Sequence, residues 1–132
     1  MVTLPKSLLK SPAAAFGLAG LLVVTGVTHF AAPGSYDTIV PRVLPGPARA
    51  WTLASGAVEL GCALAIACPR TRRLGGTLAA LLFVLVFPAN IQMAVDWRSR
   101  APIDQAIAYG RLPLQVPLIL WALAVRRNAR AG

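Results

Sequence analysis

Four long apolar runs, separated by short stretches rich in proline, glycine and charge, organise this chain of 132 residues. They cover about residues 13–32, 50–68, 74–95 and 112–125. A helix rises 1.5 Å per residue and needs roughly 20 apolar residues to cross a bilayer, so the first three runs are long enough to span. The fourth, Leu112 to Val125, rises only about 21 Å and needs help from flanking residues or a snorkelling arginine. The pattern predicts an all-α membrane protein, a four-transmembrane-helix bundle with ordered extracytoplasmic connectors, forming one membrane domain over residues 1–132.

Composition agrees: 57% of residues are hydrophobic and 13% charged, with a mean hydropathy of +0.67. A soluble domain this apolar would aggregate, so the bilayer is its first partner. The net charge of +9 raises nucleic-acid binding, but the charges sit in the connectors and no basic stripe interleaved with aromatics runs along any segment. Nucleic acid is therefore excluded as a partner.

Lys6 and Lys10, Arg70, Arg72 and Arg73, and Arg126, Arg127 and Arg130 place eight cations on one side. Arg42, Arg49, Arg98, Arg100 and Arg111 place five on the other. The positive-inside rule then puts both termini in the cytoplasm of a plasma-membrane protein. A cleavable leader is the competing reading of the first run, but it is long and lacks a small-x-small cleavage site.

The connector from Pro33 to Pro47 holds four prolines among Tyr36, Ile39, Val40 and Leu44, too apolar for a free linker. It reads as a lid over the bundle, or as a loop anchored by Tyr36 with Trp51 in the interfacial belt. Pro102 to Gly110 carries helical spacing with proline to start and glycine to stop, predicting a short interfacial helix. Ala57, Gly61 and Ala65 would allow close helix approach, in a compact bundle or a homodimer. Pro88 and Pro117 should kink their spans.

Polar residues inside the spans are confined to one leaflet: His29, Glu59, Asn90 and Gln115 at roughly 5 to 12 Å depth, with Arg111 at a helix end. Glu59 stands out because an ionisable group in a span is usually paired or functional. Structural readings compete: a carboxyl bonded to Asn90 or Gln115 to lock the bundle, a histidine anchoring the interface, and an asparagine satisfying the backbone that Pro88 opens. Gln92 falls off the Asn90 face. Metal binding lacks ligands, since one histidine and one intramembrane glutamate fall short of a zinc site. Cys62 and Cys68, about 9 Å apart along one helix, cannot pair. The chain carries no cofactor motif.

Several elements together resemble the DoxX family of small membrane proteins. They are Gly26-x-x-His29-Phe30-x-x-Pro33-x-x-Tyr36, Val40-Pro41-x-x-Leu44-Pro45, Ser55-Gly56-x-x-Glu59-Leu60-Gly61, Pro69-x-Thr71-Arg72, Phe87-Pro88-Ala89-Asn90 and Arg111-Leu112-Pro113-Leu114-Gln115. The resemblance implies a four-helix bundle, a quinone or lipid-like ligand near the polar belt, and a membrane redox protein as partner. The expected ligand-binding residues are His29, Tyr36, Glu59, Asn90, Arg111 and Gln115. The expected function is a non-catalytic accessory or amphiphile-binding subunit; alternatives are a quinone-linked oxidoreductase subunit in which Glu59 and His29 relay protons, and a structural scaffold.

Overall fold

The computed structural model describes residues 12–38 and 40–129; Lys6, Lys10, Ile39 and Arg130 of the sequence reading lie outside them. Among the described residues the chain is all helical: α1 (Pro12–Ala31), α2 (Pro33–Asp37), α3 (Ala48–Ala67), α4 (Arg72–Leu85), α5 (Phe87–Asp96) and α6 (Pro102–Asn128). Four helices are long and apolar enough to cross a membrane: Ala13–Ala31, Ala48–Ala67, Arg72–Asp96 and Pro102–Asn128. The third of these is α4 and α5 in succession.

Pro88 explains that division. It has no N–H, and its ring collides with the carbonyl four residues back. The helix therefore stops at Leu85, turns at Val86 and restarts with Pro88 in the first turn of α5, where a missing donor is harmless.

The largest departure from the sequence reading is at the fourth span. The interfacial helix expected over Pro102 to Gly110 and the span expected over 112–125 are one helix of 27 residues, about 40 Å long. Gly110 does not stop it, Arg111 is not at a helix end, and the shortfall in length disappears. Proline starts the helix as expected, with Asp104 favourably placed in its first turn. Pro113 and Pro117 lie inside it, four residues apart on an exposed face.

One apolar core fills the half of the bundle nearest the start of α1 and the end of α6. Leu18 and Leu22 of α1, Ile66 of α3, Phe83 of α4 and Val125 of α6 meet there. Small residues set its tightness, because lipid supplies no hydrophobic drive between helices and close van der Waals contact must do the work. Gly26 and Gly56 bring α1 against α3: a methyl on Gly56 would stand 2.7 Å from the His29 Cβ. Gly75 brings α4 against α3, and Gly76 brings α4 against α6. The stripe read as packing grammar, Ala57, Gly61 and Ala65, does not serve the fold this way. Ala57 and Gly61 are exposed, and a methyl on Gly61 would meet nothing within 4 Å.

The turn between α3 and α4 is tied by side chains. Thr71 Oγ1 donates to the Ala65 carbonyl at 2.7 Å, and Arg72 donates to the Ile66 and Ala67 carbonyls at 2.7 and 3.2 Å. These are the orphan acceptors of the last turn of α3, and a cation is favourable at that end of the helix. Trp121 Nε1 bonds the Ala14 carbonyl at 2.8 Å, joining α6 to the start of α1.

Candidate functional site

The other half of the bundle holds the buried polar residues His29, Thr52, Asn90 and Gln115. Thr25, Thr28 and His29 share one face of α1, because three- and four-residue spacing returns to the same side of a helix. The His29 Nδ1 lies 2.6 Å from the Thr25 carbonyl. A carbonyl can only accept, so Nδ1 carries the proton. The same nitrogen stands 3.2 Å from Glu59 Oε2, yet Oε2 has no hydrogen-bond partner among the described residues. The contact is thus electrostatic rather than a hydrogen bond: Nδ1 aims its single proton at Thr25. It becomes an ion pair only when the ring is charged and the carboxyl ionised.

Tyr36, on the short helix α2, closes over this pair. Its ring stacks on His29 at 3.7 Å between centroids and 17° between planes. Its hydroxyl is 2.6 Å from Thr28 Oγ1. Thr28 itself donates to the Thr25 carbonyl at 2.7 Å, so the tyrosine must donate to Thr28. His29 is only 9% exposed, and that burial under Tyr36 replaces the interface anchor considered from sequence.

Asn90 and Gln115 form a separate pair. Asn90 Nδ2 donates to Gln115 Oε1 at 3.1 Å, and Gln115 Nε2 donates to the Phe83 carbonyl. That carbonyl belongs to the last turn of α4, where the break at Val86 leaves acceptors open. The two amides therefore hold the broken span to α6. Among the described residues no hydrogen bond joins them to Glu59, so the expected lock between Glu59 and either amide is not formed.

Arg111 and Tyr36 line a cleft of about 590 Å³ between the end of α1, α2, the end of α5 and the start of α6. Thr28, Trp97 and Arg100 share its wall. Arg111 is half-buried, with Nη1 3.5 Å from Met93 Sδ. Its charge is within electrostatic reach of Glu59. His29, Glu59, Asn90 and Gln115 do not reach the cleft surface.

The connector after α2 is strapped down, and none of its residues from Val40 to Pro47 lines the cleft. Gln92 Nε2 donates to the Val40 carbonyl at 2.8 Å and its Oε1 accepts from Arg42 N at 3.2 Å. Arg42 pairs with Asp96 at 2.9 Å, Arg49 with Asp37 at 2.8 Å, and Trp51 Nε1 with the Pro45 carbonyl at 2.7 Å. Thr52 and Arg49 beside Asp37 hold its carboxyl below the usual range. Thr52 Oγ1 and Asp37 Oδ1 lack an aligned partner, so the Arg49 bond is the firmer of the two contacts.

Sequence reasoning passed over Gln92 as clamp, and Thr28, Trp97 and Arg100 as cleft walls. Only Thr28 carried a legible signal, its spacing from Thr25 and adjacency to His29. Among the described residues no three His, Cys, Asp or Glu side chains converge as metal ligands would.

The family described as Domain of unknown function (DUF8561) matches residues 18–126. No curated protein and no solved structure matches the chain.

Proposed function

The chain belongs to the DUF8561 family, and we propose that this membrane protein holds an amphiphilic molecule, a quinone or another lipid-like compound, in the cleft beside Tyr36 and Arg111. In that reading it serves a membrane redox system as an accessory subunit, in line with its resemblance to DoxX proteins. The observation that carries the reading is the cleft. It has the volume of a small-molecule site, apolar flanks from Met93 and Ile107 and a polar wall from Tyr36, Arg100 and Arg111, and a connector clamped beside it by Gln92.

Native mass spectrometry of protein extracted in mild detergent tests this. Wild type should retain an amphiphile, and Tyr36→Ala should lower its occupancy about tenfold, roughly 1.4 kcal/mol. Wild type that carries nothing but detergent sinks the reading.

A second reading, a proton relay in a quinone-linked oxidoreductase, draws on one specific feature. Tyr36 stacks on His29, whose Nδ1 stands 3.2 Å from Glu59 Oε2, so three titratable side chains adjoin one another behind the cleft. A relay would need the His29 proton to turn from Thr25 to Glu59. Purified protein alone should then reduce a soluble quinone analogue when supplied with an electron donor, and Glu59→Gln should slow it by about 100-fold or more. Activity that requires a second subunit returns the accessory role.

We place the cleft on the outer side of a plasma membrane and both termini in the cytoplasm, from the excess of Lys and Arg at the opposite end of the bundle. Cys68 is a native reporter. It is exposed just beyond α3, whereas Cys62 is buried, and the Arg70 backbone N–H holds its thiol below the usual range. Such a thiol labels readily near neutral pH. An impermeant maleimide should label Cys68 in inside-out vesicles and leave it untouched in right-side-out ones, with Cys68→Ser blank in both. The reverse pattern inverts the topology.

A further inference from the structure

All four Asp and Glu side chains lie among the described residues: Asp37, Glu59, Asp96 and Asp104. Three face cations that are not in the cleft. Asp37 pairs with Arg49, Asp96 with Arg42, and Glu59 stands against His29. Asp104 makes no ion pair among the described residues. The two arginines lining the cleft, Arg100 and Arg111, therefore have no carboxylate within pairing distance among the described residues.

Both are held where they stand. The Arg100 guanidinium lies over the Trp97 ring at 4.3 Å, which orients it while leaving its N–H edge open. Arg111 spends one N–H on Met93 Sδ, a weak acceptor. Of the hydroxyls lining the cleft, that of Ser35 stays open to a ligand and the others are committed within the protein. Tyr36 donates to Thr28 and Thr28 to Thr25, while Thr38 donates to the Ser35 carbonyl. What the cleft presents to a ligand is a pair of guanidinium forks and the Ser35 hydroxyl beside the apolar surface of Met93 and Ile107.

We infer that, within the amphiphile-binding reading on which this rests, the ligand of this cleft carries an anionic head, a phosphate or carboxylate, that bridges Arg100 and Arg111. A neutral head would leave the exposed Arg100 and the half-buried Arg111 without a counter-charge inside the cleft, at the membrane edge where charge is expensive. An anionic head receives charge-assisted, bidentate bonds from both.

Native mass spectrometry of the full chain in mild detergent, titrated with dodecyl phosphate, dodecanol and inorganic phosphate, is the test. Dodecyl phosphate should bind one per protein at least tenfold more tightly than dodecanol. That preference should vanish in the Arg100→Gln, Arg111→Gln double variant, persist in part with Arg111→Lys, and be unchanged in Arg98→Gln, whose side chain is outside the cleft. The exposed Arg100→Gln substitution, which removes no buried contact, decides the matter if the double variant does not fold. It should lower the preference severalfold. Equal binding of dodecyl phosphate and dodecanol, or a preference that survives both Arg→Gln changes, overturns the anionic head but leaves an amphiphile site standing. Inorganic phosphate that binds as tightly as dodecyl phosphate supports the anion site with a free anion as its source, and removes the amphiphile reading. Binding of none of the three removes both.

Discussion

A methyl group added at Gly75 is expected to do more harm than any other single-carbon change in the bundle. Alanine is the better helix former by about 1 kcal/mol, so on propensity alone Gly75→Ala would stabilise α4. The new Cβ would instead stand 2.7 Å from the Ile66 backbone nitrogen and 2.9 Å from the Ala65 carbonyl carbon. Backbone cannot swing aside as a side chain can. The end of α3 is also held by Thr71 and Arg72 through the carbonyls of Ala65, Ile66 and Ala67. Overpacking against a fixed wall costs typically 1–3 kcal/mol and at times more, so a net loss of about 2 kcal/mol is expected. Gly61→Ala, facing open space, should be neutral or stabilising by up to about 1 kcal/mol. Unfolding titrations in mixed micelles measure both. If Gly75→Ala unfolds no earlier than Gly61→Ala, the close approach of α3 and α4 is not a constraint on the fold.

Gln115→Leu is expected to cost about 2 kcal/mol, clearly more than Asn90→Leu at about 1 kcal/mol. The asymmetry follows from what each change leaves unpaired. Losing Gln115 strands both the Asn90 amide and the Phe83 carbonyl at the break in the third span. Losing Asn90 strands only Gln115 Oε1, and the carbonyl keeps its donor. Hydrogen bonds between membrane helices average nearer 0.6 kcal/mol, so the ranking is the sharper test. The double variant should unfold little earlier than Gln115→Leu alone, since removing Asn90 also removes its stranded donor. Equal costs for the two single variants would show that the bond to Phe83 contributes nothing.

Much of the architecture was legible in the residues. A bilayer demands long apolar helices with every backbone group satisfied, and the apolar runs with their proline boundaries reveal such helices directly. Where the reading failed, a local signal had a stronger competitor. Gly110 looks like a stop, but glycine ends a helix only where the chain must turn, and α6 runs on through it and through Pro113 and Pro117. Ala57, Gly61 and Ala65 have the spacing of a packing stripe, whereas Gly26, Gly56, Gly75 and Gly76 carry the close approaches. In a span that is apolar on every side, spacing does not say which face turns inward.

The polar half divides in the same way. That His29, Glu59, Asn90 and Gln115 share one depth follows from 1.5 Å per residue, and no packing is needed to know it. That His29 meets Glu59 beneath Tyr36, while Asn90 and Gln115 serve the broken helix, depends on how each helix is rotated about its axis. The cleft depends on even more distant choices, since Arg100, Arg111, Trp97 and Tyr36 come from α2, α6 and the segment between α5 and α6. The sequence by itself determined three membrane-length helices, a fourth apolar run and a polar end, because burial in lipid and backbone hydrogen bonding are imposed segment by segment. Only the tertiary structure decided which polar groups meet and which cations stay unpaired, because those pairings arise from the close packing of helices whose apolar faces look alike in sequence.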